Sequence, residues 1–239
     1  RSSYRDSFYR YLNAGLKVPF STGTDWFMYD FSRVYVPVAD KLTPANWLEQ
    51  LATGHSYITN GPFLEFTVSG QPIGGTVDLK SPGDIRIRGR AIGRSDFKRV
   101  ELIHNGGTIA TAATEAAGGH FEARIDTTVR VSQPGWFALR TPPPSVSGDA
   151  KRSRKTPLNL VGRELFAHTS PVYIQLGGRT IFDVKVAAEI LATMKSHAED
   201  VTRNGKFLDN TARARVLDVH REAITAFEAR LKAEETRSR

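Results

Sequence analysis

Few residues in this sequence carry chemistry, and they are scattered. One acid stands out. Asp25, in "STGTDWFMYD", follows the hydrophobic run "KVPF" on a turn of small residues. A carboxylate there can accept backbone N–H bonds and set the turn, or it can hold a cation. Alone it makes no metal site, since catalytic zinc takes about three protein ligands plus a water. Histidines are the natural partners, but the six in this chain form no His-x-His or His-x3-His pair. His168 in "AHTSP" ends an alternating run before Pro171, where a histidine can hydrogen-bond across a domain interface. His55 follows the helix-ending Gly54, where a cation suits the helix dipole. His104 precedes a hairpin turn and His120 begins a strand, which places both at the surface. His197 and His220 fall on or near helical stripes, where packing or exposure is the ordinary role. The chain has no cysteine, which removes thiolate chemistry and disulfides.

Three regimes of composition must position these groups. The first runs to about Pro62 and alternates helix and strand. "SYRDSFYRYLNAGL" spaces Tyr4, Phe8, Tyr11 and Leu12 near helical period, with Gly15 as the stop. Strands are expected at about residues 18–22 and 33–37. Between the second of these and "HSYITNGP", Thr43 caps a helix over about 44–53, Pro44 takes its first position and Gly54 ends it. Thr59 and Asn60 in "TNGP" build the turn into the next regime.

From about Phe63 to Gln175, runs such as "FLEFTVSG", "DIRIRGRAI", "KRVELIHNGG" and "GWFALR" mostly alternate apolar and polar residues between Gly, Pro and Asn turns. That pattern predicts an antiparallel sandwich. Asn105-Gly106 is a two-residue hairpin signal, because both residues tolerate positive φ. The last regime is helical. Ala187, Ile190, Leu191, Met194 and Val201 form one stripe; Val216, Leu217, Ile224, Phe227 and Leu231 form another. Asn204-Gly205 separates them, and the two stripes could feed a helix pair or a homo-oligomer contact.

Composition narrows the partners. Apolar content of 40% and charged content of 24% are those of an ordinary soluble globular protein. No apolar run reaches the ~18 residues of a membrane-spanning helix. The formal charge of +8 raises nucleic acid as a partner. The dense cluster "KRSRK", Lys151 to Lys155, lacks the interleaved aromatics of a single-strand groove, which argues for a solvated basic loop. The start, "RSSYRDSFYR", has no apolar signal core and reads as that of a cut chain.

The order "GTD", "RVYV", "ATGHSYITNGP", "RVELIHNG", "GWFALR" and "AHTSPVYI", then a helical tail, resembles the C-terminal portion of a PHP-superfamily metallohydrolase. It is most similar to the carbaryl-hydrolase-like branch, from about Asn13 onward, with "TNGP" and "AHTSPVY" the most specific segments. The resemblance implies a distorted β/α barrel with metal ions at the C-terminal ends of its strands, followed by a sandwich and helices. It also implies a metal-bound water that attacks an ester, amide, carbamate or phosphoester of a small-molecule substrate. Asp25 then matches the late barrel acid and becomes a metal ligand; Trp26 and Phe27 stand where a histidine often follows. His168 becomes the catalytic candidate, as outer ligand, proton donor or substrate contact. The early His-x-His motif is not in this sequence. Most ligands to the divalent ion (zinc, manganese or iron) are therefore expected outside this chain, on a preceding segment or a partner chain.

The expected fold class is α+β. Residues 1–62 would form the C-terminal strands and helices of a distorted β/α (PHP) barrel, 63–177 a β-sandwich, and 178–239 a two-helix tail. The expected function is the C-terminal part of a metal-dependent hydrolase. A rival from another class is a non-catalytic binding or assembly module whose sandwich contacts carbohydrate or protein.

Overall fold

Period-two alternation runs through the middle of the chain, and there it folds as strands. The computed structural model describes residues 7–23, 31–39, 41–143 and 157–237. Two units form. One takes the residues up to Leu12 and Leu16–Ile181; the other takes Asn13–Gly15 and everything after Ile181.

The first unit begins with helix α1 (Phe8–Asn13), strand β1 (Arg33–Tyr35), helix α2 (Pro44–Ala52) and strand β2 (Tyr57–Thr59). The strands β3 (Phe63–Val68), β4 (Gln71–Pro72), β5 (Thr76–Leu79), β6 (Gly83–Gly93), β7 (Arg99–His104) and β8 (Gly107–Ala113) follow. Then come β9 (Glu115–Ala116), β10 (Phe121–Val131), β11 (Gly135–Arg140), β12 (Ala167–Thr169) and β13 (Val172–Leu176). Five strands make one sheet in the order β4-β3-β6-β10-β9. Eight make the other: β1-β2-β12-β11-β13-β5, with β7 and β8 continuing from β11. All pairings are antiparallel except β13 with β5.

Inward residues of the two sheets form the main core. Leu64, Phe66, Ile85, Ile87 and Ile125 come from the smaller sheet, and Val100, Leu102, Phe137, Leu139 and Ile174 from the larger. Gly89 lets the sheets close, because a Cβ there would lie 2.9 Å from Leu139 Cδ1. The larger sheet is covered on its other face too. Tyr9 and Leu12, three apart on α1, pack there with Ile103, Trp136 and Ala138. Coverage on both faces explains why "VELI" and "WFAL" read as nearly unbroken buried runs. The hairpin signal was legible: Asn105 (φ 49°) and Gly106 (φ 92°) turn β7 into β8, with His104 opposite Gly107.

Three local expectations change. Residues 18–22 form no strand: Pro19 brings no N–H to a ladder, and the segment lies outside both sheets. The strand–helix–strand order before Pro62 predicts part of an α/β unit, yet β1 pairs with β2 antiparallel and both extend the large sheet. The helix between them, although capped by Thr43 as expected, buries none of its residues, so it does not act as a packed crossover. Among the described residues neither sheet closes into a barrel.

The second unit holds α3 (Val184–Asn204) and α4 (Asn210–Arg237), packed on each other. Asp183 caps α3 through Val186 N at 3.1 Å. Ala187, Ile190 and Leu191 are buried on one helix and Phe227 and Leu231 on the other, whereas Val216 is exposed. Arg230 lies over Phe182, 4.7 Å from the ring centre, and donates to the carbonyl of Gly15. No helix of the described residues is long and apolar enough to cross a membrane.

Candidate functional site

Register decides which polar groups meet behind the large sheet. Arg140, the last residue of β11, is paired with Glu101 on β7 and with His168 on β12. Odd-even alternation turns all three toward α1, on the side where Trp136, Ala138 and Ile103 lie. Helix α1 contributes Tyr9, fully buried, whose ring sits 5.0 Å from that of Trp136. A tyrosine and a histidine buried together must satisfy each other, and here they do.

The protons of this network follow from its partners. The carbonyl of Thr169 lies 2.7 Å from His168 Nδ1 and can only accept, so Nδ1 carries the hydrogen. Burial pushes the imidazolium pKa down to about 3; the Thr169 carbonyl opposes that shift and the nearby Arg140 charge adds to it. The ring is therefore neutral at physiological pH, with a lone pair on Nε2. The Tyr9 hydroxyl donates to it at 2.7 Å and accepts from Arg140 Nη1 at 3.0 Å. Arg140 Nε donates to Glu101 Oε2 at 2.9 Å, and Nη2 lies 2.9 Å from the same oxygen as an ion pair. The other carboxylate oxygen takes Arg99 Nε and Nη2 at 2.9 and 2.6 Å. A chain of four side chains and one carbonyl thus runs from Thr169 to Glu101 with its donors and acceptors matched.

His168 is also walled by rings. Phe8 and Phe20 meet it edge-on at 6.1 and 5.7 Å, and they touch each other at 4.4 Å. Phe20 belongs to the irregular segment that the sequence runs into Asp25. That segment is tied down at several points. Ser56 Oγ donates to the Phe20 carbonyl at 3.4 Å and sits 3.2 Å from Ser170 Oγ. Lys17 Nζ reaches Thr76 Oγ1 at 3.1 Å and lies 4.6 Å above the Tyr173 ring.

Asp25 lies outside the described residues, as do Trp26, Phe27 and the Lys151–Lys155 cluster. His168 is in the interior with both ring nitrogens engaged. Thr59 and Asn60 make the turn expected of them. Thr59 Oγ1 donates toward the carbonyls of Pro62 and Phe166 and accepts from Gly61 N, while Asn60 bonds the backbone of Glu164 and Phe166.

The other histidines stay apart. His55 Nδ1 meets Gln50 Oε1 at 2.9 Å. His104 is half-buried and stacks on Phe137 at 4.3 Å, and burial lowers its pKa. His197 and His220 meet edge-on across the helix pair at 5.7 Å. Among the described residues no three His, Asp or Glu side chains converge as a metal site requires.

Tyr9, Arg140 and Glu101 escaped the sequence reading. A charge inside the apolar run "VELI" was the available signal, since a carboxylate in a buried strand needs a partner. Nothing local pointed to Tyr9 rather than Tyr11 as the inward tyrosine; Tyr11 is exposed. No family model, curated protein or solved structure matches this chain.

Proposed function

We propose that this chain is the part of a PHP-type metal-dependent hydrolase that supplies Asp25 and anchors the segment leading to it. The observation that supports this reading is the docking of Phe20 in the aromatic cage of His168. Five residues before Asp25, the chain is held against a neutral, fully bonded histidine and tied by Ser56. In this reading His168 is a positioning residue that acts through Phe20 on Asp25. Its buried, weakly basic ring suits that role better than proton transfer.

The described residues do not fit a metal by themselves, because they offer no converging ligand set. The reading therefore assigns Asp25 one ligand position and the remaining ligands to groups beyond this chain. Substrates are small esters, amides, carbamates or phosphoesters. The test is hydrolysis of an aryl ester and an aryl carbamate by the longest natural form of the protein, with zinc or manganese added or chelated. Metal-dependent turnover supports the reading; no turnover under any metal condition overturns it. A second reading, a non-catalytic binding module, is favoured by a groove lined by Arg33, Arg94 and His120, and the same assay separates the two.

A further inference from the structure

The "TNGP" turn does more than join segments: it forms the floor of a groove of about 500 Å³, a size typical of small-molecule sites. The groove lies within the first unit, between the edge strand β1, the C-terminal end of β6 and the residues around Leu160. Two sets of groups line it. Phe31, Tyr35, Pro62, Ile92 and Leu165 give an apolar and aromatic wall. Arg33, Arg94 and His120 give a basic one, and among the described residues no Asp or Glu lines the cavity.

Two arginines converge on this one cavity. Several arginines of the sandwich are matched with acids: Arg86 with Asp126, Arg90 with Glu122 and Glu65, and Arg130 with Asp84. Arg94 has no carboxylate partner among the described residues. Arg33 has none either; it donates one N–H to the Phe31 carbonyl at 2.7 Å and sits 5.3 Å from that ring. Phe31 holds its place with φ of 61°, a conformation a bulky residue rarely adopts. Guanidinium groups with no carboxylate partner among the described residues, set beside an aromatic wall, are suited to a planar oxyanion on an aryl or apolar body. The bounded volume of this half-open groove and the pair of arginines, rather than a stripe of cations, favour a small molecule over a nucleic-acid strand.

We infer that this groove is a binding site for a small organic oxyanion, a carboxylate or phosphate borne on an aromatic body. The inference is separate from the hydrolase reading, because its readout is binding of a probe that contains no scissile bond.

The experiment is calorimetric titration of 1-naphthoate at low salt into the protein and into its Arg33→Gln and Arg94→Gln variants. Its controls are 1-naphthalenemethanol, acetate and a short oligothymidylate. Both arginines are exposed, and unchanged thermal unfolding of each variant verifies the fold. If one variant fails to fold, the other alone decides. The expected result is saturable 1-naphthoate binding that each substitution weakens about tenfold, the size of one charge-assisted contact. The neutral alcohol and acetate should each bind about tenfold more weakly, and added salt should weaken the naphthoate. Equal binding of the alcohol, no effect of either substitution, or no naphthoate binding overturns the inference. Tighter binding of the oligonucleotide, lost in the same variants, overturns it in favour of a nucleic-acid surface.

Discussion

Acidification should destabilise the first unit in part through His168. Its folded pKa of about 3 lies below the ordinary 6.5 because the ring is fully buried. Between those values the unfolded chain binds a proton that the folded chain refuses, so stability rises with pH. The contribution is complete above about pH 6.5 and is lost as pH falls toward 3. Each unit of difference is worth ~1.4 kcal/mol, which sets an upper bound of about 5 kcal/mol for the whole shift. Near pH 4.5 roughly 2.5 kcal/mol of that is already gone.

The variant His168→Gln removes the titration but retains a donor for the Thr169 carbonyl and an acceptor for the Tyr9 hydroxyl. Urea unfolding of both proteins, followed by tryptophan fluorescence at about pH 7 and about pH 4.5, measures the difference. Trp136 is buried beside Tyr9 and reports on this face. The wild type should be the more stable at neutral pH and should lose roughly 2.5 kcal/mol more than the variant on acidification. Surface carboxylates titrate in both proteins and cancel. Parallel losses would refute the neutral, desolvated histidine on which the network rests.

Glu101→Gln should cost about 3 kcal/mol in the same urea assay, because it breaks a buried pair and leaves the Arg140 charge unmatched. Replacing both partners, Glu101→Gln with Arg140→Met, should cost less than the single change. Gly89→Ala should destabilise by about 1 kcal/mol, the added Cβ pressing on Leu139 between the sheets; adding Leu139→Val should recover part of the loss in thermal unfolding. Gly106→Ala should cost roughly 1 kcal/mol or more by forcing a side chain into positive φ at the β7–β8 turn, read from the same unfolding midpoint.

Much of the body was legible because local chemistry and fold agree there. The alternation from Phe63 onward, the Asn105-Gly106 turn and the Thr43-Pro44 helix start all appear where the sequence points. The two-residue strands β4 and β9 were not legible, since two residues carry no period. Nor was the parallel pairing of β5 with β13, which joins segments nearly a hundred residues apart. The interior network was harder still. His168 was singled out from its own segment, but its partners come from α1, β7 and β11. Only strand register brings Glu101 and Arg140 beside it. Segment 18–22 shows the opposite failure: its apolar residues predicted a strand, but Phe20 is occupied by an aromatic cage rather than a sheet.

The central claim is that the segment docked on His168 presents Asp25 to a metal. Elemental mass spectrometry of the longest natural form of the protein, purified beside its Asp25→Asn variant, tests it most directly. The metal-to-protein ratio should fall in the variant, because a neutral amide is a poor substitute for a carboxylate ligand, while thermal unfolding of the body stays within about 1 kcal/mol. An unchanged ratio, or no bound metal in either protein, would contradict the account and leave Asp25 as an acid that only shapes its turn.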